Sequence, residues 1–120
     1  MREIAVAILN WNGQRLLEEF LPSVVKHSPD ADVYLVDNNS SDDSISYVNK
    51  AFPTVEIIQT NANLGYAGGY NFALAEIKNT FVVLLNSDIE TTENWLDAPL
   101  ELLKKDNTIG ACQPKIKAYK

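Results

Sequence analysis

Phe81-Val82-Val83-Leu84-Leu85 is an unbroken apolar run of β-formers that stops abruptly at Asn86-Ser87-Asp88. A strand that is apolar at every position is covered on both faces, and such strands belong to parallel sheets clothed by helices. This run therefore reads as a central strand that delivers polar side chains to the rim of the sheet. In extended chain, Asn86 and Asp88 leave on the same side and can converge on one ligand. Open parallel sheets bind ligands beyond the carboxyl ends of their strands, which makes Asp88 the expected focus of chemistry. The alternative is that Ser87-Asp88 only begins a turn and that Thr91 or Thr92 caps the next helix.

The same pattern recurs along the chain. Ile4 to Leu9 is wholly apolar and ends in Asn10-Trp11-Asn12-Gly13. Gln14 to Lys26 then spaces Leu17, Phe20, Leu21, Val24 and Val25 as a helical stripe, with a kink expected at Pro22 and His27 in a solvated position at the C-terminal end. Val33 to Val36 is a third strand, and it runs into Asp37-Asn38-Asn39-Ser40-Ser41-Asp42-Asp43. Ser41 or Asp42 can cap a short helix carrying Ile45, Val48 and Phe52, which Pro53 ends. Val55 to Ile58 reads as a strand nearer the sheet edge.

Asn61 to Asn71 brings Gly65, Gly68 and Gly69 together ahead of a helix with Phe72, Leu74 and Ile77. Each glycine costs a helix about 1 kcal/mol relative to alanine, so each has a reason to be there. That reason is either a close approach of backbone to a ligand or a tight turn with close packing. Beyond Asp88, a helix with Trp95, Leu96, Leu100 and Leu103 is expected, capped by Thr92 and kinked at Pro99. Ile109 to Cys112 reads as a fifth strand.

Alternating strands and helices describe an α/β fold, an open, mainly parallel, Rossmann-like sheet with helices on both faces. If the first strand and the Phe81–Leu85 strand are neighbours where the winding reverses, Asn10, Asn12, Asp37 and Asp88 surround one crevice.

At 120 residues, nearly half of them apolar, the chain holds one core and no more. A formal charge of −6 without a lysine or arginine block argues against nucleic acid or an anionic membrane as partner. A phosphorylated ligand remains compatible if a cation accompanies it. Cys112 is the only cysteine, which excludes an intrachain disulfide and a zinc cluster. It reads as a small buried hydrophobe in a reducing compartment. No signal peptide or membrane-length apolar run is visible, so a cytoplasmic location is expected, with the inner face of the membrane open to a full-length protein. The turn after the first strand lacks G-x-G-x-x-G, a P-loop is absent, and asparagines stand where a receiver domain needs an acidic pair.

Four motifs in order, Ile8 to Gly13, Val36 to Asp42, Asn61 to Asn71 and Leu84 to Asp88, resemble those of family 2 glycosyltransferases of the GT-A fold, particularly the rhamnosyltransferase-like branch. The resemblance implies inverting transfer of a sugar from a UDP-, dTDP- or GDP-linked donor to a saccharide or lipid-linked acceptor in cell-surface polysaccharide synthesis. It places the nucleotide against Asn10, Asn12, Asp37, Asn39, Gly65, Gly68 and Asn71, with Asp37 at the nucleobase. Asn86-Ser87-Asp88 stands at the D-x-D position, where Asp88 and Asn86 would hold Mg²⁺ or Mn²⁺ on the diphosphate. The chain departs from the pattern at Asn86, in place of an acid, and at Tyr70, where many relatives have arginine.

The resemblance covers only the donor-binding half of such a domain, so residues 1–120 read as a truncated portion, inactive alone, without a catalytic base. Uncovered apolar surface around Ile109 to Ile116 would then favour self-association or leave the C-terminal segment disordered. The competing reading is a non-catalytic nucleotide-sugar-binding or interaction module with the same fold.

Overall fold

The computed structural model describes residues 1–119. Four strands and four helices alternate: β1 (Ile4–Asn10), α1 (Gln14–Lys26), β2 (Ala31–Asp37), α2 (Ser44–Ala51), β3 (Glu56–Gln59), α3 (Gly65–Glu76), β4 (Phe81–Leu85) and α4 (Asp97–Lys105). The sheet is parallel throughout, in the order β3-β2-β1-β4. Winding runs outward from β1 through β2 to β3, then returns to set β4 on the other side of β1. The reversal point thus falls between β1 and β4, with Ile8 opposite Leu85 and Asn10 opposite Asp37.

The apolar runs cover two faces. Ile4, Val6, Ile8, Val33, Leu35 and Leu85 meet Leu17, Leu21, Val24 and Val48 of α1 and α2, while Ala5, Ala7, Val36 and Ile58 meet Tyr70, Ala73 and Ile77 of the α3 segment. Small Ala5 and Ala7 let α3 lie close to β1, and both are fully buried.

Several expectations need correction. The Phe81–Leu85 run is an edge strand, and β1 and β2 are the inner ones. An apolar sequence reports that both faces are covered and carries no information about lateral neighbours. Even that cover is incomplete, since Leu84 is 49% exposed. No fifth strand forms at Ile109 to Cys112; residues 107–119 lie along the surface without regular structure. Cys112 is accordingly exposed, its Sγ 3.8 Å from the Pro99 carbonyl.

α4 starts at Asp97, so Thr92 does not cap it. Pro99 falls in the first turn, where an N–H has no intrahelical acceptor and proline is tolerated. α1 is continuous through Pro22, which lies on the exposed side. His27 is half-buried rather than solvated: its Nδ1 donates to the Thr91 carbonyl at 3.0 Å, and Trp95 Nε1 donates to Ser28 Oγ at 3.0 Å. These bonds tie the segment after β4 to the end of α1. No helix among the described residues is long and apolar enough to cross a membrane.

Candidate donor site

The loops after β1 and β2 are stitched together by a buried carboxylate. Asp37 has no exposed surface. Asn10 Nδ2 donates to its Oδ1 at 2.9 Å, the Ser40 hydroxyl donates to the same oxygen at 2.7 Å, and the Ser40 amide donates to Oδ2 at 2.8 Å. A charge buried without a cation stays tolerable because these donors replace water. Asn12 completes the seam. Its Oδ1 accepts from the Ser41 and Asp42 amides at 2.7 and 3.2 Å, and its own amide donates to Ser40 Oγ at 2.9 Å.

The asparagines of these turns also solve a backbone problem. Asn12 and Asn39 sit at φ 50° and 66°, a left-handed region that asparagine enters more readily than most side chains. Asp42 reaches two helix starts, accepting from the Gln14 amide of α1 at 3.2 Å and from the Ser44 amide and hydroxyl of α2 at 3.0 and 2.5 Å. Partial burial opposes its charge, but the bonds from Ser44 and Gln14 prevail and hold its pKa below the ordinary value.

Asn38, which the sequence did not single out, positions the glycine-rich segment. It is buried; its Nδ2 donates to the Gly65 carbonyl at 2.8 Å, and its Oδ1 accepts from the Leu64 amide at 3.0 Å and the Thr60 hydroxyl at 3.2 Å. Gly65 turns at φ 76°. Gly69 serves close packing, because a Cβ there would lie 2.6 Å from Leu9 Cδ1 and 3.0 Å from Asn38 Nδ2. For Gly69, close packing is the reason the glycine is there.

At the reversal point, a cleft of about 280 Å³ is lined by Leu9, Leu16, Tyr66, Asn86, Ser87 and Asp88. Ligand sites commonly measure about 300–1,000 Å³, so this cleft has room for part of a nucleotide sugar. A larger, shallow depression of about 510 Å³ is lined by α4 residues alone, including Asp97, Glu101, Lys104 and Lys105. It draws on no second element and gathers none of the strand-end residues.

Of the two departures from the family pattern, Asn86 lines the cleft, whereas Tyr70 lies outside the lining and packs against Tyr66. Tyr70 is buried and its hydroxyl donates to the Leu85 carbonyl at 2.9 Å. Burial pushes its pKa up to about 12. Tyr66 packs edge-on against Tyr70 with ring centroids 5.1 Å apart, and its hydroxyl donates to Asn86 Oδ1 at 3.2 Å.

Asn86 and Asp88 are both exposed. No group of three or more histidine, cysteine or acidic side chains able to hold a metal ion occurs among the described residues. The donors present, one carboxylate with amide and hydroxyl oxygens, suit a hard divalent ion only if further oxygens complete its shell. Asn71 is exposed on α3, beyond the residues that line this cleft.

The profile described as "Glycosyl transferase family 2" matches residues 5–119. This chain belongs to glycosyl transferase family 2. Among curated relatives, the N-acetylglucosaminyl-diphospho-decaprenol L-rhamnosyltransferase of Mycobacterium tuberculosis is 27% identical over 113 aligned residues, covering 84% of this chain and 37% of that protein. Among solved structures, S. aureus TarS 1-349 in complex with UDP-GlcNAc superposes with a TM-score of 0.74 at 22% identity, over 88% of this chain and 32% of that one. The mannosyltransferase PcManGT of Pyrobaculum calidifontis, in complex with GDP-Man and Mn²⁺, superposes with a TM-score of 0.80 at 23% identity, over 92% and 34%. The family 2 chain described here thus spans about a third of the length of these relatives. Its fold is that of the GT-A glycosyltransferases with which it superposes.

Proposed function

We propose that residues 1–120 form the donor-binding portion of a longer GT-A domain, which transfers a sugar with inversion from a nucleoside diphosphate sugar to a saccharide or lipid-linked acceptor in cell-surface polysaccharide synthesis. The observation that carries this reading is convergence. The ends of β1, β2 and β4 and the start of α3 bring Asn10, Asn12, Asp37 to Asp42, Gly65, Tyr66 and Asn86 to Asp88 to one edge of the sheet, around the reversal point.

In this reading the nucleoside lies against the stitched loops, with exposed Asn12 and Asn39 at the surface and buried Asp37 holding them in shape. The diphosphate lies toward Tyr66, Ser87 and Asp88, and Gly65 and Gly68 border it from α3. Asp88 would hold Mg²⁺ or Mn²⁺ jointly with the diphosphate, and the oxygen donors fit that role once phosphate oxygens are added. The ion would supply Lewis-acid stabilisation of the departing diphosphate. No residue among 1–119 is assigned as the base that activates the acceptor.

The mannosyltransferase complex with GDP-Man and Mn²⁺ and the TarS complex with UDP-GlcNAc support the choice of ligand class. Calorimetric titration of this chain with UDP, dTDP and GDP, with and without Mn²⁺, tests it. One nucleotide should bind better than the others, and more tightly with metal. Absence of binding by all three at millimolar concentration would overturn the assignment and favour an interaction module.

A further inference from the structure

An amide differs from a carboxylate in having two unlike ends, one that accepts hydrogen bonds and one that donates them. At Asn86 the accepting end is already engaged, because Oδ1 receives the Tyr66 hydroxyl at 3.2 Å. Tyr66 is itself held. Its ring stands edge-on to Tyr70, and the Tyr70 hydroxyl is bonded to the carbonyl of Leu85, the residue before Asn86. Two aromatic side chains of α3 thus grip the end of β4 at consecutive residues, one through its backbone and one through its side chain. Tyr66 and Asn86 both line the cleft together with Asp88.

With the oxygen turned to Tyr66, the Nδ2 end of the amide is the one left to face a ligand. Asn86 has no negative charge to offer a metal ion, and its N–H groups are well suited to an anionic oxygen. We propose that Asn86 contacts the donor diphosphate as a hydrogen-bond donor, not the metal as a ligand, and that Tyr66 is the positioning residue that holds it in that sense. This inference rests on the donor-site reading above. It divides the cleft into an anion-contacting wall, Tyr66 with Asn86, and a metal-contacting carboxylate, Asp88. It also means that diphosphate binding depends only partly on metal.

The test is calorimetry with UDP and with uridine, in EDTA and in Mn²⁺, on wild type, Asn86→Asp and Tyr66→Phe. Both substituted residues are exposed, and unfolding temperatures confirm that the variants are folded. The quantity read is the ratio of UDP affinity with Mn²⁺ to that in EDTA. Wild type should bind UDP measurably in EDTA. Asn86→Asp should lose about tenfold or more of that metal-free affinity, through lost donation and carboxylate–phosphate repulsion, while keeping or improving binding in Mn²⁺. Tyr66→Phe should shift the ratio in the same direction by about two- to tenfold. Uridine, which lacks phosphate, should bind all three alike.

An unchanged ratio in either variant, or equal weakening of UDP and uridine, overturns the inference while the donor site stands. Failure of wild type to bind UDP, dTDP or GDP under any condition removes the donor-site reading and this inference with it. An independent readout is the Asn86 side-chain NH₂ resonance in ¹⁵N-resolved NMR, which should move when UDP is added in EDTA. A resonance that stays in place while others move also overturns the proposal.

Discussion

Replacing Asp37 by alanine separates a residue that touches ligand from one that builds the site. Asp37 is fully buried and accepts three hydrogen bonds, from Asn10 Nδ2, Ser40 N and Ser40 Oγ. Without the carboxylate, Asn10, itself 2% exposed, keeps only a 3.2 Å bond from Nδ2 to Ser40 Oγ, and the half-buried Ser40 amide has no partner. An orphaned buried donor costs about 1–3 kcal/mol, less where water can reach it, so the loss should be about 2–4 kcal/mol. Unfolding entropy of about 2 cal/mol/K per residue converts this, for 120 residues, to about 8–16 °C in Tm. Thermal unfolding followed by circular dichroism, without nucleotide, is the assay. A fall of less than about 3 °C, combined with lost UDP binding, would refute the clamp and return the carboxylate to the ligand.

Asp88→Asn should leave Tm nearly unchanged, because Asp88 is exposed, but weaken Mn²⁺-dependent UDP binding by about 10- to 100-fold in calorimetry. Gly69→Ala should cost about 1–3 kcal/mol in denaturant unfolding, since its Cβ would meet Leu9 and Asn38 at 2.6 and 3.0 Å. The Tyr70 phenol has its folded pKa raised to about 12 from 10, so its contribution is fully present below pH 10 and is lost as pH rises toward 12. Wild type should therefore lose about 1–2 kcal/mol more than Tyr70→Phe between pH 9.5 and pH 12 by urea unfolding. Sedimentation velocity should show concentration-dependent self-association, given exposed Leu84, Ile116 and Leu102; a strict monomer at high micromolar concentration would contradict it.

Much of the fold was legible because burial on two faces writes itself into consecutive residues. Ile4 to Leu9 and Phe81 to Leu85 read as strands of a parallel sheet covered by helices, which holds for β1 and only in part for β4, and the polar residues that end them lie at its carboxyl edge. The adjacency of β1 and β4, which the crevice around Asn10, Asn12, Asp37 and Asp88 required, is present in the sheet, and Val55 to Ile58 does lie at an edge. Of the reasons weighed for keeping glycines before α3, a tight turn holds for Gly65 and close packing for Gly69.

What a side chain does at the end of its strand was decided only by tertiary structure, because its partners come from elsewhere in the chain. Asp37 and Asp88 are the same residue type at comparable strand ends. Asp37 meets Asn10 from 27 residues away and disappears into a seam, while Asp88 stays open to the cleft. Nothing local distinguishes Asn38, which organises the glycine turn, from Asn39 beside it, which is exposed. Lateral order in the sheet was equally hidden, since Phe81 to Leu85 would read the same at the centre or the edge. The Tyr66–Asn86 bond spans 20 residues and exists only because α3 packs back across the sheet beside β4. Apolar patterning is a property of each segment and survives reading one residue at a time; polar function at this sheet edge is a property of pairs, and the fold chooses the pairs.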